Sequence, residues 1–174
     1  MTQQKIVHAK VVQGRPVILS PSYADIEKFY GSAGGKLASS GRAILPFAFP
    51  LAWDTSQRLL SFSCHTFVAK SLTSIYAEAA KHYGEKEFRR LRLDLFGGCF
   101  NHRPMRGGTA LSTHSWGVAV DHDPQRNQLR WGRDRAAFAQ PAYDVWWRIV
   151  EAHGAFSLGR AKNYDWMHFQ FVKP

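Results

Sequence analysis

Two different periods govern the apolar and polar positions along the chain. Over "CHTFVAKSLTSIYAEAAKHYG", Phe67, Leu72, Ile75, Tyr76 and Ala79 return about every 3.6 residues, which predicts an amphipathic helix that Gly84 ends. "PAYDVWWRIVEAHG" predicts a second helix, with Pro141 near its first position and Gly154 at its end. A shorter one is expected over "SPSYADIEKFYG", where Ser22 can cap the first turn, Asp25 follows as a weak capping-box partner and Gly31 closes it. Period two marks "LRLDLF" at 91–96, "WGVAVD" and "DWMHFQFV", each expected as a strand. Residues 5–19 alternate more weakly and predict an early strand or extended arm. Two stretches are expected to be irregular. "GSAGGKLASSGR" is rich in small residues and suggests a mobile surface loop. "ILPFAFPLAWD" is apolar but broken by two prolines, and should pack without regular structure against the core. Helices mixed with hairpin-scale strands predict an α+β fold, helices packed on a small antiparallel sheet. A single domain over 1–174 is expected, with 1–20 as its N-terminal strand or arm.

Composition narrows the class. The chain has 174 residues, 45% apolar and 14% aromatic, enough for a real core and unlike a disordered or coiled-coil sequence. No apolar run approaches the roughly 18 residues of a membrane span. "MTQQKIVHAKVVQGRP" lacks the apolar stretch of a secretory signal, so the protein is expected in the cytosol at first. Cys64 and Cys99 follow no metal or redox spacing and are expected as buried free thiols. The net charge of +10 points to a polyanionic partner. The basic residues are dispersed, however, and no nucleic-acid motif is present, so an anionic surface other than nucleic acid is the expectation.

The chemistry concentrates in "STHSWGVAVDHD" and "YDWMHFQFV", where His and Asp stand beside tryptophans in apolar runs. Buried imidazoles and carboxylates are costly unless something holds them. Period two puts Met167, Phe169 and Phe171 on one face of the last strand and Trp166, His168, Gln170 and Val172 on the other, with Asp165 just before. It puts Asp121 with Gly117 and Ala119, on a face with little side-chain bulk, which would leave room for a ligand or a second chain segment. If His114 and Asp121 share one metal, the chain between them cannot be straight, because seven strand residues span roughly 23 Å. His114 must then lie on a segment that folds back, with Gly117 as the point of flexure. Taken one at a time, His8, His65, His82, His122 and His153 are better read as ordinary structural residues. Asp123 shares a face with Asp121 and competes with it as a ligand, or starts a turn before Pro124.

Together these segments match two patterns, SxHxxGxAxD in "STHSWGVAVD" and [DE]xxH in "DWMH". That pair resembles the VanY-like zinc D-Ala-D-Ala carboxypeptidase and L-alanyl-D-glutamate endopeptidase family. "GGCFNHRPMRGG" looks like the family's arginine-bearing loop, and the whole resembles its bacteriophage endolysin branch most. The strong likeness covers roughly 91–172. It implies a hedgehog or D-Ala-D-Ala peptidase-like fold, a Zn²⁺ cofactor and the metal ligands His114, Asp121 and His168. It implies Asp165 as catalytic acid/base, where the family often has Glu, and Arg103 as the contact to substrate or transition state. Arg106, three residues on, leaves that alignment ambiguous. Ser112, Arg106 and Trp166 are the residues expected to border or support the substrate. The activity implied is hydrolysis of peptidoglycan stem peptides at the L-Ala–D-Glu bond by a monomer released at lysis, with the cell wall as its anionic partner. Alternatives are a D-Ala-D-Ala carboxypeptidase or dipeptidase on the same scaffold, and a zinc-stabilised binding module without catalysis.

Overall fold

The computed structural model describes residues 9–12 and 15–174. Of the expected N-terminal arm, 5–8 and 13–14 lie outside the described residues, as does His8. The rest of that arm is a two-stranded antiparallel hairpin, β1 (Ala9–Val12) with β2 (Arg15–Ile18).

A six-stranded sheet carries the remainder. Its strands are β3 (Gly41–Leu51), β4 (Asp54–Cys64), β5 (Phe96–Gly98), β6 (Ala119–His122), β7 (Phe156–Ser157) and β8 (His168–Gln170), in the order β4-β3-β5-β6-β8-β7. All neighbours are antiparallel except β3 and β5, which meet in parallel at Leu51 and Phe96. The architecture is α+β as expected, but the sheet is larger than expected and mixed.

The long β3–β4 hairpin replaces the irregular segment expected over "ILPFAFPLAWD". Two prolines fit because the register shifts between Ile44 and Phe49, around Pro46, and again between Pro50 and Leu51. Proline is tolerated where ladder hydrogen bonds are already interrupted. "LRLDLF" is also corrected. Arg92 takes φ 58, and Leu93 and Leu95 donate to Phe88 O and Arg92 O in turns, so pairing begins only at Phe96.

Helix α1 (Ile26–Tyr30) follows a short 3-10 turn capped by Ser22, whose hydroxyl accepts from Asp25 N, and Gly31 closes it. Helix α2 (Leu37–Ser40) lies inside the stretch read as a mobile loop. Helix α3 (Ala69–Arg90) runs past the expected stop. Gly84, at φ 70 and ψ 157, breaks its helical path, and the chain resumes helix through Arg90. Helix α4 (Asp144–Ala152) begins after a 3-10 turn opened by Pro141, and α5 (Leu158–Lys162) precedes β8.

One core joins these layers. Leu72, Ile75, Tyr76 and Ala79 of α3, Trp146 and Trp147 of α4, and Phe49, Val120, Phe169 and Phe171 of the sheet region are all fully buried. Truncating one such side chain typically costs about 2–5 kcal/mol. Both cysteines are buried free thiols, and burial raises Cys64 to about 12. Among the described residues no helix is long and apolar enough to cross a membrane.

Candidate metal centre

Asp121 and His168 are direct partners in the antiparallel β6–β8 register. Opposed residues project to the same face of a sheet, so the pairing alone brings this carboxylate to this imidazole. His114 arrives differently. It sits in a 3-10 turn, Thr113–Trp116, whose cap is Ser112, and the turn ends at Gly117 with φ 64 and ψ 29. The chain thus folds back before β6, with Gly117 as the flexure, as a shared metal requires. A Cβ at Gly117 would stand 1.9 Å from Ala38 O, so its missing side chain leaves room for α2 and not for a ligand. Of the two expected occupants of that space, a ligand or a second chain segment, the structure shows the second at Gly117. His65 N donates to Gly117 O at 2.8 Å and holds the bend.

The three residues converge. His114 Nε2 lies 3.2 Å from His168 Nδ1 and 3.3 Å from Asp121 Oδ2, and His168 Nδ1 lies 2.9 Å from Asp121 Oδ1. One ligand atom from each falls within 4.8 Å of the others. Tetrahedral zinc with bonds of about 2.0–2.2 Å separates its ligand atoms by about 3.3–3.6 Å, close to these distances. Two ring nitrogens and a carboxylate oxygen are also a donor set zinc accepts. The residues present therefore fit a divalent cation. In each imidazole the second ring nitrogen is engaged, His114 Nδ1 with Cys99 O at 2.6 Å and His168 Nε2 with Gln170 Oε1 at 3.0 Å.

No protein-family model matches the chain, and neither a curated protein nor a solved structure is detectably similar to it.

The electrostatics follow from burial and mutual contact. Burial pushes the Asp121 carboxyl upward, but His114 and His168 outweigh it and hold the group well below the usual carboxylate range. Burial opposes charge on His168, yet the hydrogen bond and charge of Asp121 prevail and raise it to about 9. Asp165 has no such bonded partner. Burial raises its carboxyl to about 6, against the pull of His168. Its Oδ1 is buried without a hydrogen-bond partner among the described residues. Its backbone is held at φ 54, a left-handed conformation that Asp tolerates better than most residues. The Asp165 N–H donates to Leu129 O, and Asp165 O accepts from His168 N.

These groups line a cavity of about 670 Å³ that also includes Ser112, Arg103, Arg106, Arg130, Tyr164 and Met167. The arginine loop is tied to the His114 turn. Arg103 N donates to Ser115 Oγ, which donates back to Arg103 O, and Asn101 N donates to His114 O. Trp166 is the expected residue that the structure sets apart. It lies in the core against Gly159 and Trp147, and it does not line the cavity. Period two fails there because β8 begins only at His168; Trp166 and Met167 precede it in a turn, so Met167 reaches the cavity instead.

The other candidates resolve as structural. Asp123, at φ 43, pairs with Arg92 and Arg126 and does not compete with Asp121. His122 packs in the core with Nε2 2.8 Å from Tyr76 Oη, His65 meets Tyr30 O and His153 meets Glu78. His82, on α3, lies away from the cluster, beside Tyr83. Gln170 was not singled out as a site residue, although its position two residues after His168 places it on the same strand face.

Proposed function

We propose that the protein is a zinc-dependent peptidase of the VanY-like kind, with a hedgehog or D-Ala-D-Ala peptidase-like fold, and that it hydrolyses peptidoglycan stem peptides at the L-Ala–D-Glu bond. The observation that carries this reading is the meeting of His114, Asp121 and His168 in one cavity with Asp165. Three protein ligands are the number typical of a catalytic zinc, which keeps one position for solvent or substrate.

A bound zinc supplies Lewis acidity, lowering the pKa of water at the site to about 7 and polarising the scissile carbonyl. The protein supplies proton transfer and charge. Asp165, raised to about 6, is a carboxylate at neutral pH yet basic enough to take the proton of an attacking water. It then returns that proton to the leaving amine. Arg103 and Arg106 border the cavity and supply positive charge to the developing oxyanion. The backbone bonds from Arg103 to Ser115 fix the loop relative to His114.

Mass spectrometry of muropeptides digested with zinc-loaded protein tests the reading. Products that retain L-Ala on the sugar and expose the amino group of D-Glu are expected. Loss of a single terminal D-Ala would move the assignment to the carboxypeptidase on the same scaffold, and intact muropeptides would sink both.

A further inference from the structure

Gln170 is buried, 6% exposed, and borders the cavity. Its amide makes three contacts, to Thr113, His168 and Val172. Oε1 accepts from Thr113 Oγ1 at 3.1 Å and meets His168 Nε2 at 3.0 Å, and the amide nitrogen donates to Val172 O at 2.9 Å. The last contact fixes which end of the amide faces which way, since a backbone carbonyl can only accept. With the oxygen turned toward His168, Nε2 must carry the proton of that contact, and Nδ1 is left to face Asp121 and His114. His114 shows the opposite polarity. Its Nδ1 donates to Cys99 O, and Nε2 faces the cluster.

We infer that Gln170 is a positioning residue for the metal centre, holding His168 in the tautomer that ligates through Nδ1. The inference rests on the reading of these three residues as metal ligands. Its chemistry is general: a hydrogen bond to the far ring nitrogen orients a ligating imidazole and raises its basicity, and losing such a partner costs about 10–100-fold in metal affinity.

The test is Zn²⁺ affinity by chelator competition on the purified full chain, with ¹⁵N-detected histidine tautomers of the zinc-loaded wild type as a second measurement. Gln170→Met keeps the length but removes the acceptor, and zinc should bind about 10–100-fold more weakly. Gln170→Glu restores an acceptor and should recover most of that loss. Thr113→Val removes only the other donor to Oε1 and should stay within about threefold of wild type. The wild-type spectrum should show His168 protonated at Nε2 and His114 at Nδ1, a readout independent of whether any variant folds. Unchanged affinity in Gln170→Met would overturn the positioning role and leave the metal centre standing, whereas His168 protonated at Nδ1 would overturn both, since that nitrogen could not then ligate. A wild type that binds no zinc would overturn both.

Discussion

At the scale of single residues, the proposed ligand set and the proposed proton-transfer group make separable predictions. His114→Ala or His168→Ala should abolish stoichiometric zinc, read by elemental analysis of the purified protein. Asp165→Ala should keep the metal and lose about 10²–10⁴ in hydrolysis rate, the usual contribution of a positioned acid/base. Because Asp165 must be ionised to accept a proton and titrates near 6, kcat/KM should rise with pH through that value and then level off. A second pH effect belongs to His122. Burial holds this imidazole down to about 4, against the pull of Asp121, whereas the unfolded chain titrates near 6.5. The unfolded state then binds the extra proton, so stability contributed by neutral His122 is present above pH 6.5 and is lost as pH falls through 4, by about 3 kcal/mol. His122→Phe should be less stable near neutrality, since Tyr76 loses its partner, but its stability should fall less between pH 6.5 and 4. Parallel urea-unfolding curves for the two proteins would contradict that. The clustered residues His114, Asp121 and His168 were legible because His and Asp are conspicuous in apolar runs. Gln170 was not, since an amide on a strand face carries no sign of what it touches.

At the scale of elements, the bend before β6 positions His114. Gly117→Ala adds a Cβ that would meet Ala38 O at a positive φ, and should cost more than about 2 kcal/mol in unfolding free energy and weaken zinc binding with it. The bend was foreseeable in the sequence, because a straight strand could not bring His114 and Asp121 together. Elements with clear periodicity, α4 and the core of α3, were equally readable. The β3–β4 hairpin was hidden for two physical reasons. Pro46 and Pro50 disguise β3, and β4 is an edge strand whose exposed stretch of Thr55, Ser56, Gln57 and Arg58 lacks an apolar alternation. The small-residue stretch before β3 looked mobile because its role lies in contacts that composition cannot display: Gly34 N donates to Ser115 O, and Ala38 packs against Gly117.

At the scale of the whole molecule, sheet order was beyond reach of local pattern, since the parallel meeting of β3 and β5 depends on contacts between distant segments. The same holds for the cavity, assembled from the arginine loop, the His114 turn, α5 and the C-terminal strand. The net charge of +10 makes a prediction of its own at this scale: retention on purified cell walls should weaken steeply as salt is raised, because exposed charges are screened within about 10 Å at 0.1 M ionic strength. Retention independent of salt would assign wall binding to something other than charge. The most direct measurement concerns the cation itself. Anomalous diffraction at the zinc edge from crystals of zinc-loaded protein should place one peak within about 2.0–2.2 Å of His114 Nε2, His168 Nδ1 and an Asp121 oxygen. A peak elsewhere, or none at full zinc loading, would contradict the metal centre.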